Sequence, residues 1–196
     1  MTAELAKKQA GKFDSNLATE ALKWIKETLD GKSEDSKLLE ALDKVPDSVE
    51  TPKDVIAALK DGVVLAHLGK IIVPDSGIKQ INYNKMAFKQ MENINNFLQA
   101  TYAMDVNKTD MFQTVDLYEG QNIAQVINGI GAFSRRALKK GYVDVSIGPK
   151  ESTANKREFT EEQLRAGEGI VGLQAGSNKG ASQAGQNFGK TRAIID

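Results

Sequence analysis

The chain has 196 residues, 40% hydrophobic and 27% charged, with 26 basic residues against 26 acidic and no cysteine. That content supports one packed domain of ordinary size plus a tail and excludes wholesale disorder, while the balanced charge removes any overall electrostatic drive toward nucleic acid or anionic lipid. Disulfides and thiolate metal sites are excluded too, and the longest apolar runs, Val63 to Ala66 and Ile71 to Val73, are far too short to span a bilayer.

Residues 1–14 are polar and lysine-containing and read as an N-terminal tail. Ala18, Leu22, Ile25 and Leu29 then recur at steps of four, three and four, which predicts a helix over 16–31 with Gly31 as its stop. From Asp30 to Glu50 the chain is acidic and polar, with Leu38, Leu39 and Leu42 as its apolar cluster. This predicts an exposed connection holding a short helical turn. Thr51 before Pro52 sets a capping hydroxyl ahead of a proline at the first helical position. Asp61-Gly62 interrupts that helix, and Val64, Leu68, Ile71 and Ile72 continue on one face until Pro74. A further helix is predicted over 86–102, with Phe88, Met91, Ile94 and Leu98 inward and Asn95 and Gln99 outward. Another is predicted over 119–133, carrying Ile123, Val126, Ile127 and Ile130. Trp24, Phe97, Phe112 and Phe133, together with Phe88, are assigned to the core. No segment alternates with period two between hairpin turns, so the fold class is all-α, a helical bundle.

Beyond the bundle the texture changes. Between Arg135 and Arg157 seven basic residues face two acidic ones, with glycine, serine and Pro149 interspersed, and this predicts a basic linker. Phe159 to Arg165 fits a short helix capped by Thr160. Seven glycines then fall between Gly167 and Gly189, at about 1 kcal/mol each against a helix. The organisation predicted is a tail at 1–14, a helical domain at 15–138, a linker at 139–166 and a glycine-rich segment at 167–196.

Catalytic and cofactor chemistry find little support. Gly167 to Gly172 matches G-x-G-x-x-G, but Glu161-Glu162-Gln163-Leu164-Arg165 before it is no strand. Ala184 to Thr191 fits a relaxed phosphate-loop pattern that lacks a preceding strand and has five residues after it. His67 is the sole histidine and sits in a helical segment, and no cysteine exists to act as a nucleophile. Asp105, Asn107, Thr109 and Asp110 lack the central glycine of a calcium loop, and Asp116 stands where its closing glutamate belongs. No enzyme, cofactor or metal site is predicted.

Three segments, L-K-D-G-V-V-L at 59–65, F-K-Q-M-E-N-I-N-N-F-L at 88–98 and F-Q-T-V-D-L-Y-E-G-Q-N-I-A-Q-V-I at 112–127, resemble the calponin homology domain in its single-domain form. The stretch G-I-V-G-L-Q-A-G-S-N-K-G-A-S-Q-A-G at 169–185 resembles the calponin-family repeat, with Ala175 where that repeat often has methionine. One domain, a basic linker and one repeat is the arrangement of transgelins. The resemblance implies a cytoplasmic protein of the actin cytoskeleton that binds F-actin, bundles and stabilises filaments, and has no enzymatic activity, nucleic-acid partner or membrane partner. It places the main filament contact in the repeat: Ile170, Gly172, Leu173, Gln174, Gly176, Ser177, Asn178, Lys179, Gly180, Ser182, Gln183 and Gly185, with Lys190 and Arg192 adding charge. Ordering such a glycine-rich segment costs about 2–5 kcal/mol, so one repeat is expected to bind at roughly micromolar strength, about −8 kcal/mol. Bundling then needs a second contact, assigned to the basic linker, chiefly Arg135, Arg136, Lys139 and Lys140, or to a face of the helical domain. Ser182, or Ser177 in second place, is the phosphorylation site the resemblance suggests. The alternative is a signalling adaptor that uses the helical domain to dock another cytoskeletal or signalling protein.

Overall fold

A computed structural model describes residues 12–32, 35–153 and 156–168, with the side chains of 167 and 168 outside the description. Helices account for the regular structure among these residues, and no strand occurs. The helices are α1 (Ser15–Leu29), α2 (Ser36–Asp43), α3 (Pro52–Leu59), α4 (Val63–Ile72), α5 (Ala87–Ala103), α6 (Thr114–Tyr118), α7 (Ile123–Lys139) and α8 (Glu161–Glu168). A first compact unit ends at Ser152, and a second, to which α8 belongs, begins at Thr153.

Several helices start where a nearby side chain satisfies backbone amides at the first turn. Asp14 caps α1, accepting from the amides of Asn16 at 2.9 Å and Leu17 at 3.2 Å. At α3 the Asp54 carboxylate reaches back to the amide of Thr51 at 2.8 Å, one half of a capping box. Thr160 and Gln163 do the same reciprocally at α8, with contacts of 3.2 and 3.4 Å.

Helix α4 occupies the middle of the first unit and is buried almost all round, from Val63 to Gly69. It packs most extensively against α5, and Gly69 makes the close approach feasible, since a β-carbon there would lie 3.1 Å from that of Ala100. Gly62 is the more constrained position. It sits at φ +68°, and a β-carbon on it would stand 2.8 Å from the Asn93 Cβ and the Ile94 amide nitrogen. Phe97 forms the aromatic centre, with its ring 5.1 Å from Phe133 and 6.3 Å from Phe112, while Trp24 meets Phe133 edge-on at 6.5 Å. Each such pair contributes about 0.5–1.5 kcal/mol beyond the area it buries.

Three expectations need correction. The segment from Asp30 to Glu50 is no exposed connection: α2 buries Leu38 and Ala41, and Val45 and Val49 follow them into the core. Phe88 is 57% exposed. It lies nine residues from Phe97, which at about 100° per residue places the two on opposite sides of α5. The inward face is instead Asn93, Ile94, Phe97, Leu98, Ala100 and Thr101. Finally, α7 continues to Lys139, because Phe133, Ser134 and Ala137 prolong its buried face for another turn. Arg135, Arg136 and Lys139 therefore belong to a helix.

The chain after α7 turns back over the bundle as a strap at 140–152. Val143 and Ile147 are buried. The Trp24 indole Nε1 donates to the Val145 carbonyl at 2.7 Å, and the Ile147 amide donates to the Ser134 hydroxyl at 3.0 Å. The stretch read as one linker at 139–166 thus divides at Ser152: its first part packs on the helices, and its last part contains α8.

Candidate functional site

The last turns of α7 gather the four cations nominated as a second contact, where positive charge complements the helix C-terminus. The structure engages them within the domain. Arg136 Nη2 donates to the Asp105 carbonyl at 2.8 Å, and its Nε lies 3.4 Å from Glu151 Oε1. Lys139 Nζ meets the other Glu151 oxygen at 3.0 Å, and Lys140 Nζ meets the Asp105 carboxylate at 3.0 Å. Arg135 Nη1 donates to the Ile147 carbonyl at 3.3 Å. Three of the four cations thus share two carboxylates, Glu151 and Asp105, and Arg135 meets only a carbonyl among the described residues, so the face keeps an excess of positive charge. Lys139 has 44% of its side chain exposed and Arg136 24%, which makes the lysine the more available of the two. The more exposed lysine pairs, Lys139 with Glu151 and Lys140 with Asp105, contribute at most about 1 kcal/mol each, a small barrier to recruitment by a stronger anionic partner.

A second surface was not foreseen. From Tyr83 to Phe88 six consecutive residues are exposed, among them Met86 at 54%. Lys37 Nζ sits 4.4 Å from the centre of the Tyr83 ring and Lys89 Nζ 5.4 Å from that of Phe88. Beneath this patch the Tyr83 hydroxyl donates to Asp35 Oδ2 at 2.6 Å and accepts from His67 Nε2 at 3.0 Å, so the neutral imidazole carries its proton on Nε2. Burial pushes His67 below its ordinary value, against the opposing pull of the Asp35 charge. Burial, then the bond to Asp35, raises Tyr83 to about 12, while the Tyr83 hydroxyl holds Asp35 below the usual carboxylate range. Asp35 and Tyr83 stand 48 positions apart in the chain, and no local pattern signals their meeting.

Buried Asn93 fastens the same loop from the other side. Its Nδ2 donates to the carbonyls of Asp61 at 3.0 Å and Asn82 at 2.7 Å, and its Oδ1 accepts from the Asn82 amide at 2.9 Å. Every hydrogen-bonding group on that amide is used, as burial requires. His67, buried and hydrogen-bonded to the Tyr83 hydroxyl, is here a packing and hydrogen-bonding residue.

The repeat residues nominated between Ile170 and Arg192 lie outside the described residues, as do Ser177, Ser182 and the glycine pattern at 184–191. Most of the pattern at 167–172 lies outside them too, and so does the tail up to Gly11. Here comparison with known proteins speaks instead. Residues 15–139 match the calponin homology (CH) domain model, and residues 171–194 match the calponin family repeat. Myophilin of Echinococcus granulosus is 46% identical over 195 residues, covering 98% of this chain and 94% of its own. This chain belongs to the calponin and transgelin family. Muscle-specific protein 20 of Drosophila melanogaster is a further relative, 46% identical over 138 residues, 70% of this chain and 74% of that one. Among solved structures, the calponin-homology domain of an IQGAP protein from Schizosaccharomyces pombe aligns at 27% identity over 81% of this chain and 87% of its own, with a TM-score of 0.49. The family is one of structural cytoskeletal proteins, and within it this chain has the transgelin-type arrangement of one CH domain followed by one repeat.

Proposed function

We propose that this protein binds actin filaments in the cytoplasm through its calponin family repeat, using Ile170 to Gly185 together with Lys190 and Arg192, and that it stabilises and bundles them through a second contact. The observation that carries this reading is the pairing of a repeat matched over 171–194 with a CH domain matched over 15–139 in one chain. A glycine-rich segment suits a filament surface, since its backbone can approach another chain closely and offer its amides. The basic turn of α7 is the candidate for the second contact: its surplus charge favours an acidic surface, and two linked sites raise avidity without either being strong.

Co-sedimentation with F-actin across a salt series tests the binding. The full chain is expected to pellet with filaments at high speed and to lose affinity as salt rises, and a chain ending at Arg165 is expected to lose most of its binding. Equal binding by the shortened chain removes the repeat from the reading. Low-speed pelleting tests the bundling: alanine at Arg135, Arg136, Lys139 and Lys140 together is expected to abolish it while high-speed binding persists. Phosphorylation of Ser182 would place about −2 charge beside Lys179 and weaken the contact; a Ser182→Glu variant of unchanged filament affinity rejects this. The exposed Met86 and Phe88 favour a second reading, in which the CH domain docks another protein and the repeat is dispensable. Under it, Phe88→Ser loses the partner while filament pelleting is unchanged.

A further inference from the structure

Ser152 closes the first compact unit, exposed and outside regular structure, as a protein kinase requires of its substrate. It lines a cleft of about 350 Å³ whose charged walls are Arg135 and Arg136 from α7, its neighbour Glu151, and Asp110. Two features of that cleft ask for an anion. Among the described residues Arg135 has no carboxylate partner, its guanidinium meeting the Ile147 carbonyl alone. Arg136 Nε is buried and makes no hydrogen bond, with Glu151 Oε1 3.4 Å away, and an unmet buried donor on a charged group is costly.

We propose that Ser152 is a phosphoacceptor whose phosphoryl group seats on the guanidinium groups of Arg135 and Arg136. In the modification the Ser152 Oγ attacks the γ-phosphorus of a nucleoside triphosphate held by a protein kinase. The Oγ–P bond forms, the bridging P–O bond breaks with its electron pair leaving on the nucleoside diphosphate, and the hydroxyl proton passes to the kinase's base. The product carries about −2 charge and three acceptor oxygens, which matches the forked donors of arginine. Opposing terms are Asp110, Glu151 and the α7 C-terminus, worth about half a negative charge. The two arginines and Lys139 are held by the helix, and a dianion competes for them better than the single charge of Glu151. The modified residue therefore binds the end of the strap to α7 more firmly than Glu151 does.

Two measurements on the full chain test this, and neither involves filaments, so their outcome is separate from that of the filament reading. Phosphopeptide mapping of the protein from cells that make it, lysed with phosphatase inhibitors, is expected to find modified Ser152; an unmodified serine in every state sampled overturns the proposal. Protein with phosphoserine installed at 152 during translation is then titrated by phosphorus NMR. The second ionisation, ordinarily near about 6, is expected to fall by about one unit, a tenfold change, and to return in the Arg135→Gln/Arg136→Gln variant. Circular dichroism checks that this variant folds. Should it unfold, Arg136→Lys, which keeps the charge but not the fork, is expected to recover part of the shift. An ordinary ionisation in the phosphorylated wild-type chain refutes the seat.

Discussion

Alanine at Gly62 separates two costs that usually arrive together. The position has φ +68°, which costs a residue with a β-carbon about 1–2 kcal/mol. The new β-carbon also stands 2.8 Å from both the Asn93 Cβ and the Ile94 amide nitrogen, and 2.9 Å from Ile94 Cγ1. Those atoms belong to α5, whose backbone cannot yield without disturbing its packing on α4, so overpacking adds about 1–3 kcal/mol. The expected loss is about 2–5 kcal/mol from a total stability of order 5–15 kcal/mol. Gly31 is the control, with φ +65° and nothing within 4 Å of a β-carbon. Gly31→Ala bears the first cost alone, about 1–2 kcal/mol. Urea unfolding of both variants, followed by circular dichroism and compared at equal m-value, should show Gly62→Ala the worse by at least about 1 kcal/mol. Equal losses would mean that α5 gives way freely, and that the close approach at Gly62 does not hold the two helices in register.

Stability should depend on pH through His67, whose ionisation lies below its ordinary value of 6.5 because it is buried. The folded chain then binds the proton less readily than the unfolded one, so stability is level above about 6.5 and falls as the pH drops below it. His67→Gln should flatten that decline in a urea midpoint series, leaving the Asp35 loss, which begins below 3.8. At the alkaline end, Tyr83 is raised from 10.0 to about 12, so its contribution is complete below 10 and is lost as the pH climbs toward 12. Tyr83→Phe should lose that slope. Ser134→Ala leaves the Ile147 amide without its buried acceptor, at a cost of about 1–3 kcal/mol, and amide exchange at Ile147 should accelerate while α5 amides are unaffected. Asn93→Leu strands the Asn82 amide and the Asp61 and Asn82 carbonyls. It should destabilise by about 2 kcal/mol or more, despite adding an apolar side chain to a core position, and unfolding midpoints measure it.

What could be read from the sequence was local. The apolar stripe of α1, the Thr51-Pro52 start of α3 and the break at Asp61-Gly62 each involve residues within a few positions of one another, and each stands in the structure as expected. Misreadings arose where an angle or a distant partner decided the outcome. Phe88 looked inward because aromatics usually are, but the face of α5 is set by Ile94 and Phe97, and buried Asn93 disguises that face as polar. The run of arginines and lysines after Ser134 looked like linker because charge signals solvent, whereas Ala137 carries the helix forward and Glu151 and Asp105 receive the charges. Helix α2 was underestimated because Val45 and Val49 follow no helical period; they are buried by a chain that bends around Pro46. The candidate contact in the repeat came from a motif, and nothing in hydrophobic periodicity would have found it. Its assignment rests on kinship and on the filament experiments above.

The hydrogen bond between Trp24 and Val145 has a practical consequence. Trp24 is the only tryptophan in the chain, and its ring nitrogen is fastened to the strap while its edge rests against Phe133. Ultraviolet emission from the unlabelled protein is therefore a gauge of one event, the lifting of 140–152 from the bundle. A shift of that emission to longer wavelength, with far-ultraviolet dichroism unchanged, would mark a partner or a modification that peels the strap away while the helices stay folded.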